Sequence, residues 1–188
     1  MNTNGSTKSQ VRQSKSDLTQ APVLRRPRAG DAIAIRRLVA ETDVLDLNST
    51  YAYLLLATDF ADTSVVAEID GRVTGVITGY PPPNRRGVLF VWQVAVASAA
   101  QGGGIAAAML DHLVHRVAQD GGGRPLTVEA TVAPDNAPSR AFFAAFARRH
   151  GVPMSEQPHF TAAQLDPDLT HADEPLLRIG PVATSAPI

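Results

Sequence analysis

The sequence predicts a mixed α/β sheet in a single layered domain. Three observations carry this. Apolar runs flank a strong turn signal at Asp70-Gly71. The run Val88 to Val96 is apolar on both faces, with Leu89, Val91 and Ala95 alternating against Phe90, Trp92, Val94 and Val96, as a strand in the middle of a sheet requires. Beyond it, helical stripes alternate with short strands.

Residues 1–22 are rich in Ser, Thr, Gln, Asn and Lys and read as a disordered tail. Val23 to Arg26 starts the first strand. Asp31 is the expected cap of a helix whose stripe is Ile33, Ile35, Leu38 and Val39. After a polar break, Asn48 or Ser49 caps a second helix carrying Tyr51, Leu54, Leu55 and Leu56. Ser64 to Ile69 and Val73 to Tyr80 form a hairpin, and Pro81 to Asn84 is a loop. The central strand ends in the turn Gln101-Gly102-Gly103-Gly104. The helix after it presents Ile105, Met109, Leu113 and Val117. Leu126 to Val132 is the next strand. Pro134-Asp135-Asn136 opens a helix with Ala141, Phe142, Ala145 and Phe146 expected on its inner side. Phe160 and Leu176 to Ile179 mark the last strands, giving the order β-α-α-β-β-β-α-β-α-β-β. Residues 23–182 form the expected domain, and 183–188 a short tail.

A chain of 188 residues with 44% hydrophobic and 19% charged residues has ordinary globular composition. Its net charge of -1 offers no basic field for nucleic acid. No apolar run nears the roughly 20 residues that span a bilayer, and no signal-peptide core is seen, so the cytoplasm is the expected location. Without cysteine there is no disulfide, thiolate metal site or thiol nucleophile. Charge distribution says more. No base lies between Arg37 and Arg72, where Glu41, Asp43, Asp46, Asp59, Asp62, Glu68 and Asp70 fall. The stretch between Arg149 and Arg178 holds Glu156, Asp166, Asp168, Asp173 and Glu174, with His159 and His171. Such segments serve as solvated faces or hold a cationic small molecule.

A glycine turn between a strand and a helix N-terminus is suited to an anion, because its amides lack helical partners and the helix dipole favours negative charge. A Walker loop needs a lysine, and none is near. The dinucleotide fingerprint needs a longer glycine spacing after the first strand of its unit. Gln101, Gly104 and Ala106 instead match, in register, the Q/R-x-x-G-x-G/A turn that cradles the acetyl-CoA pyrophosphate. Asn136 and Ser139 match the N-x-x-S/A element of the following helix. In these features the chain resembles the GNAT N-acetyltransferases. The resemblance implies a GNAT fold: a mixed, largely antiparallel central sheet splayed at the cofactor site, with helices on both faces. It implies acetyl-CoA as co-substrate and no metal. Gln101, Gly102, Gly103, Gly104, Ile105 and Ala106 would hold the pyrophosphate. Val94 and Val96 would pair with the pantetheine arm through their backbone, and Asn136, Ser139 and Phe142 would line its channel.

Five further segments are similar to the diaminobutyrate acetyltransferases of that family: Leu45 to Tyr51, Phe60 to Ser64, Phe90 to Val96, Glu129 to Asn136, and Leu177 to Pro181. That family usually has Arg at the position of Gln101. The resemblance implies L-2,4-diaminobutyrate as acceptor, acetylated on its 4-amino group in ectoine biosynthesis, and a homodimer. Asp46 and Glu174 are candidate ammonium partners. Asn48, Ser49 and Tyr51 are candidate donors to the carboxylate, and Trp92 a candidate wall or cation-π partner. The attacking amine must lose a proton, for which Glu129 is the first candidate base and His171 the second. Glu129 shares a strand face with Thr127, so an outward, solvated carboxylate is the alternative. The tyrosine that many GNAT enzymes use as acid is replaced here by Phe142 and Phe143, which leaves that role open. Two other readings remain: a GNAT enzyme for another small cationic amine, and a non-catalytic acyl-CoA-sensing domain.

Overall fold

The computed structural model describes residues 21–42, 45–165 and 171–183. Residues 1–20 and 184–188 of the two expected tails lie outside them. Seven strands form one sheet: β1 (Val23–Arg25), β2 (Val65–Ile69), β3 (Arg72–Tyr80), β4 (Val88–Val96), β5 (Leu126–Thr131), β6 (Met154–Phe160) and β7 (Glu174–Val182). Their order is β1-β2-β3-β4-β5-β7-β6. Helices are α1 (Ala32–Ala40), α2 (Thr50–Thr58), α3 (Ile105–Asp120), α4 (Ala137–His150) and the one-turn α5 (Ala162–Leu165). The expected elements occur in the expected order, and α5 is an addition.

Local chemistry explains most boundaries. Asp70 and Gly71 have φ of 51° and 72°, the pair of positive values that a tight hairpin turn demands. Ser49 caps α2, its Oγ accepting from the Ala52 N–H at 3.2 Å. Asn136 caps α4, its Oδ1 accepting from the Ser139 N–H at 3.1 Å. Asp31 differs from expectation: its side chain makes no cap bond to α1. Its carboxylate instead accepts from the Arg28 N–H and from both terminal nitrogens of Arg25.

Arg25 also donates to Glu68, at 2.7 Å, and so ties β1 to β2 and to the start of α1. The Arg25 hydrogen bond is the main reason the Asp31 carboxyl lies below its ordinary 3.8. A depressed carboxyl contributes stability that is complete above the unfolded value and is lost as pH falls through the folded one. Asp31→Asn is therefore expected to flatten the slope of stability against pH below about pH 4 and to cost about 1 kcal/mol at neutrality. Urea unfolding between pH 2 and 7 checks this.

Two cores flank the sheet. One packs α1 and α2 on Val66, Val76 and Ala95. The other packs α3 and α4 on Val65, Ile77, Leu89, Val91 and Leu177. On α4 the inner residues are Phe143, Phe146 and Ala147, so the expected inner face is rotated; Ala141 is exposed and Phe142 and Ala145 are only partly covered.

Leu89 and Val91 belong to one core and Ala95 to the other, although strict alternation would put all three on one face. The register shows why. Thr78 pairs with Gln93 and Gly79 with Val91, leaving Trp92 as an extra residue. This bulge exchanges the faces of everything after it. Val94 and Val96 turn toward the α3 side, and Gln93 and Ala95 toward α1 and α2. Gly79 fits opposite the bulge only without a side chain, since a Cβ there would lie 2.7 Å from the Phe90 carbonyl.

β4 and β5 form the parallel pair of the sheet, joined at Val88 with Thr127, Leu89 with Val128 and Phe90 with Glu129. Past Phe90, β4 continues alongside β3 while β5 continues alongside β7. The two strands therefore part at the bulge. The expectation of burial on both faces holds only for Val88 to Val91; Trp92 is 44% exposed, and Val94 and Val96 are half-buried.

Candidate active site

The gap between β4 and β5 opens into a cleft of about 1450 Å³. Its floor is Trp92 to Val96 of β4. One wall is the glycine turn with the start of α3, and the facing wall is Asn136, Ser139, Phe142 and Phe143 of α4. The far end is closed by Glu41, Asp46, His171 and Glu174.

The turn end is built for an anion. The first hydrogen bond of α3 runs from the Ala108 N–H to the Gly104 carbonyl at 2.9 Å, so the preceding amides have no helical partner. Gly102 and Gly104 have φ of 83° and 76°, left-handed values that glycine adopts without strain, and both line the cleft. Gln101 Nε2 donates to the Val96 carbonyl at 3.0 Å and ties the turn to the end of β4. Gln101, Gly102, Gly104, Ile105 and Ala106 line the cleft, as do Val94, Val96, Asn136, Ser139 and Phe142; Gly103 lies outside the lining. β4 beyond Phe90 has no β5 partner, so its backbone faces the cleft with unused ladder positions, which suits an amide-bearing chain.

The other end is built for a cation. Glu41, Asp46, Asp135 and Glu174 bring carboxylates to the lining, and no Lys or Arg joins them among the described residues. His171 Nδ1 lies 2.9 Å from the Ala172 carbonyl. A carbonyl only accepts, so Nδ1 is the donor of that contact. Nε2 is 3.9 Å from Glu174 Oε1, where a ring that gains a proton meets a negative charge.

Several sequence candidates are placed elsewhere. Glu129 is fully buried and does not line the cleft. Arg85 Nε donates to its Oε2 at 3.0 Å, and Arg178 Nε lies 3.2 Å from its Oε1. One oxygen is hydrogen-bonded to Arg85 and the other is ion-paired with Arg178 without a hydrogen bond, at the fork where β4 and β5 part, which corrects the expected place in the cleft and the solvated alternative alike. Ser49 spends its hydroxyl on the α2 cap. Tyr51, on the first turn of that helix, points outward at 69% exposure, because Tyr53, two residues on, takes the inward face. Asn48 and Tyr51, like Ser49, are absent from the cleft lining of a single chain. Asp46, Trp92, His171 and Glu174 do meet there. Sequence reasoning missed Gln93, a buried polar residue of the floor. Its signal was a lone amide in the otherwise apolar run Phe90 to Val96.

Among the described residues no group of acidic and histidine side chains is placed to hold a metal ion, and no helix is long and apolar enough to cross a membrane. Comparison with known proteins agrees with the geometry. The family model described as Acetyltransferase (GNAT) family matches residues 33–147. The chain belongs to the GNAT acetyltransferase family. This GNAT chain is 46% identical to an L-2,4-diaminobutyric acid acetyltransferase of Nocardia farcinica, over 89% of its own length and 84% of the relative's. It is 48% identical to one from Bordetella parapertussis, over 84% and 83% of the two chains. Among solved structures it is similar to the diaminobutyrate acetyltransferase EctA from Paenibacillus lautus in complex with its substrate L-2,4-diaminobutyric acid and coenzyme A. That likeness has a TM-score of 0.78 and 40% identity, covering 88% of this chain and 98% of that one. The GNAT fold thus accounts for the splayed sheet.

Proposed function

We propose that this enzyme transfers the acetyl group of acetyl-CoA to the 4-amino group of L-2,4-diaminobutyrate, giving N4-acetyl-L-2,4-diaminobutyrate in ectoine biosynthesis. The supporting observation is the cleft itself: free amides at one end, the carboxylates of Glu41, Asp46 and Glu174 with no Lys or Arg among the described lining residues at the other, and an unpaired strand between. The relatives act on this acceptor by name, and the Paenibacillus enzyme holds it together with coenzyme A.

The residues divide the work along the cleft. The turn from Gln101 to Ala106 holds the pyrophosphate on backbone N–H groups. Val94 and Val96 present backbone to the pantetheine amides, and Asn136, Ser139 and Phe142 line its other side. That alignment carries the thioester to the bulge at Trp92. Asp46 and Glu174 bind the ammonium groups, and Trp92 walls the acceptor. His171 Nε2 takes a proton from the 4-ammonium, so that the neutral amine attacks the thioester carbon. The C–N bond forms, negative charge moves to the acetyl oxygen, and backbone N–H groups of β4 near Val94 stabilise it. The intermediate then collapses, the C–S bond breaks, the nitrogen gives its surplus proton to water to become the neutral amide, the thiolate leaves to be protonated from solvent, and His171 returns its proton to solvent. Phe142 and Phe143 line that side, so no tyrosine of α4 supplies the proton.

The enzyme works as a homodimer in the cytoplasm. Supporting the dimer, α2 carries apolar residues on both sides: Tyr53 and Leu56 face the core, while Tyr51 and Leu54 are exposed, as is Leu47 just before the helix. The expected result with purified protein, acetyl-CoA and diaminobutyrate is release of free CoA, with the product acetylated on N4 by NMR. No CoA above the amine-free background sinks the proposal, and faster turnover of a peptide N-terminus or another amine reassigns the acceptor.

A further inference from the structure

Gln93 is 4% exposed and Tyr53 is fully buried, yet neither polar group is wasted. Gln93 Nε2 donates to the Asp46 carbonyl at 2.8 Å. Tyr53 OH donates to Gln93 Oε1 at 3.3 Å, and the Asn48 N–H donates to the Tyr53 oxygen at 3.3 Å. The direction of every donor is forced. The Asp46 carbonyl only accepts, so the amide must present its NH₂ there and its oxygen to the tyrosine. Both ends of the relay land two residues apart, on Asp46 and Asn48. A buried pair reaching from β4 and α2 therefore grips the segment that carries Asp46 into the cleft.

The same glutamine is tied to the floor. Its own N–H donates to Thr78 Oγ1 at 3.2 Å, directly after the bulged Trp92. Asp46 and Trp92 come from parts of the chain with no ladder between them, and Gln93 makes them one unit. We infer that Gln93 is a positioning residue that sets acceptor length, by holding the Asp46 segment at a fixed distance from the Trp92 floor. The inference rests on the proposed acceptor. A diamino acid lengthened by one methylene differs little in charge or chemistry. A site rejects it only if its anionic groups cannot shift by about 1.3 Å, and a methylene misfit is then worth roughly 10–200-fold. A tethered main chain supplies that rigidity; an untethered loop would move to fit.

The test compares the wild type with Gln93→Met, which keeps the size and removes the donor, and with Tyr53→Phe, which removes only the hydroxyl. KM for diaminobutyrate is expected to rise roughly tenfold in Gln93→Met. The kcat/KM preference for diaminobutyrate over ornithine, its homologue with one more methylene, should fall by about fivefold or more in both variants. KM for acetyl-CoA should stay within about twofold, which general damage to the sheet would not allow. An unchanged preference, or a parallel rise in both KM values, overturns the inference. If Gln93→Met does not fold, Tyr53→Phe carries the same comparison. Hydrogen exchange of the Asn48 amide in the free protein is read alongside and should quicken in each folded variant. Should the wild type acetylate neither amine, the functional reading fails by itself, and an unchanged Asn48 exchange rate then overturns the tether independently.

Discussion

His171→Ala is expected to lower kcat roughly 100–1000-fold, the contribution of a well-placed general base. The sign of the pH effect follows from the role. The base must be unprotonated to accept the 4-ammonium proton, so wild-type kcat/KM is expected to rise with pH and then level. In His171→Ala that limb is lost, and the residual rate climbs with the fraction of free amine. Added imidazole should restore part of the rate at concentrations that leave KM for acetyl-CoA unchanged. The control is Glu129→Gln. It breaks contacts with Arg85 and Arg178 at a fully buried position and is expected to cost about 3 kcal/mol of stability while keeping the pH limb. Loss of the limb in Glu129→Gln with its retention in His171→Ala would reverse the two roles.

Gly104→Val is expected to raise KM for acetyl-CoA about 100-fold, with KM for diaminobutyrate nearly constant. Two physical causes combine. Gly104 has φ of 76°, where a β-branched residue pays roughly 1–3 kcal/mol of strain. A Cβ on it would meet no protein atom within 4 Å, so the added side chain is accommodated in open space at a residue that lines the cleft. On the proposed function, a branched side chain there crowds the pyrophosphate held by the turn's amides. Gly103→Ala is the internal contrast: its φ is not positive and it lies outside the lining, so its effect should be within about twofold. Initial-rate kinetics with each substrate varied in turn separates the two effects. Equal losses on both substrates from Gly104→Val would place the pyrophosphate elsewhere.

The features legible in the sequence are those set by near neighbours. Asp70-Gly71 makes its hairpin because two adjacent residues accept positive φ. The glycine turn opens α3 because the amides at a helix start are unpaired whatever the rest of the chain does. Ser49 and Asn136 cap helices that begin one residue later. Asp31 shows the limit of such reasoning. It has the right residue type at the right place, but Arg25 competes for its carboxylate and wins with a charged hydrogen bond.

The residues misplaced by sequence depend on distant partners. Glu129 looked like a cleft carboxylate because its own strand left its side open to choice; Arg85, 44 positions away, decides the matter. Alternation along β4 fails at Trp92 because a bulge depends on the register with β3, and one extra residue reverses every face beyond it. Tyr51 and Tyr53 are alike in type, and only the docking of α2 on the sheet tells which is buried.

The sequence by itself determined the order of elements, the glycine turn at the start of α3 and the family resemblance, since each rests on contiguous residues and short-range backbone geometry. Only the tertiary structure decided which carboxylates face the cleft, where β4 leaves β5, and how Gln93 joins Asp46 to the sheet floor. Those are pairings between residues some 40 or more positions apart, with Gln93 and Asp46 separated by 47. Local propensity is silent on them, because their free energy exists only once the sheet has brought the partners together.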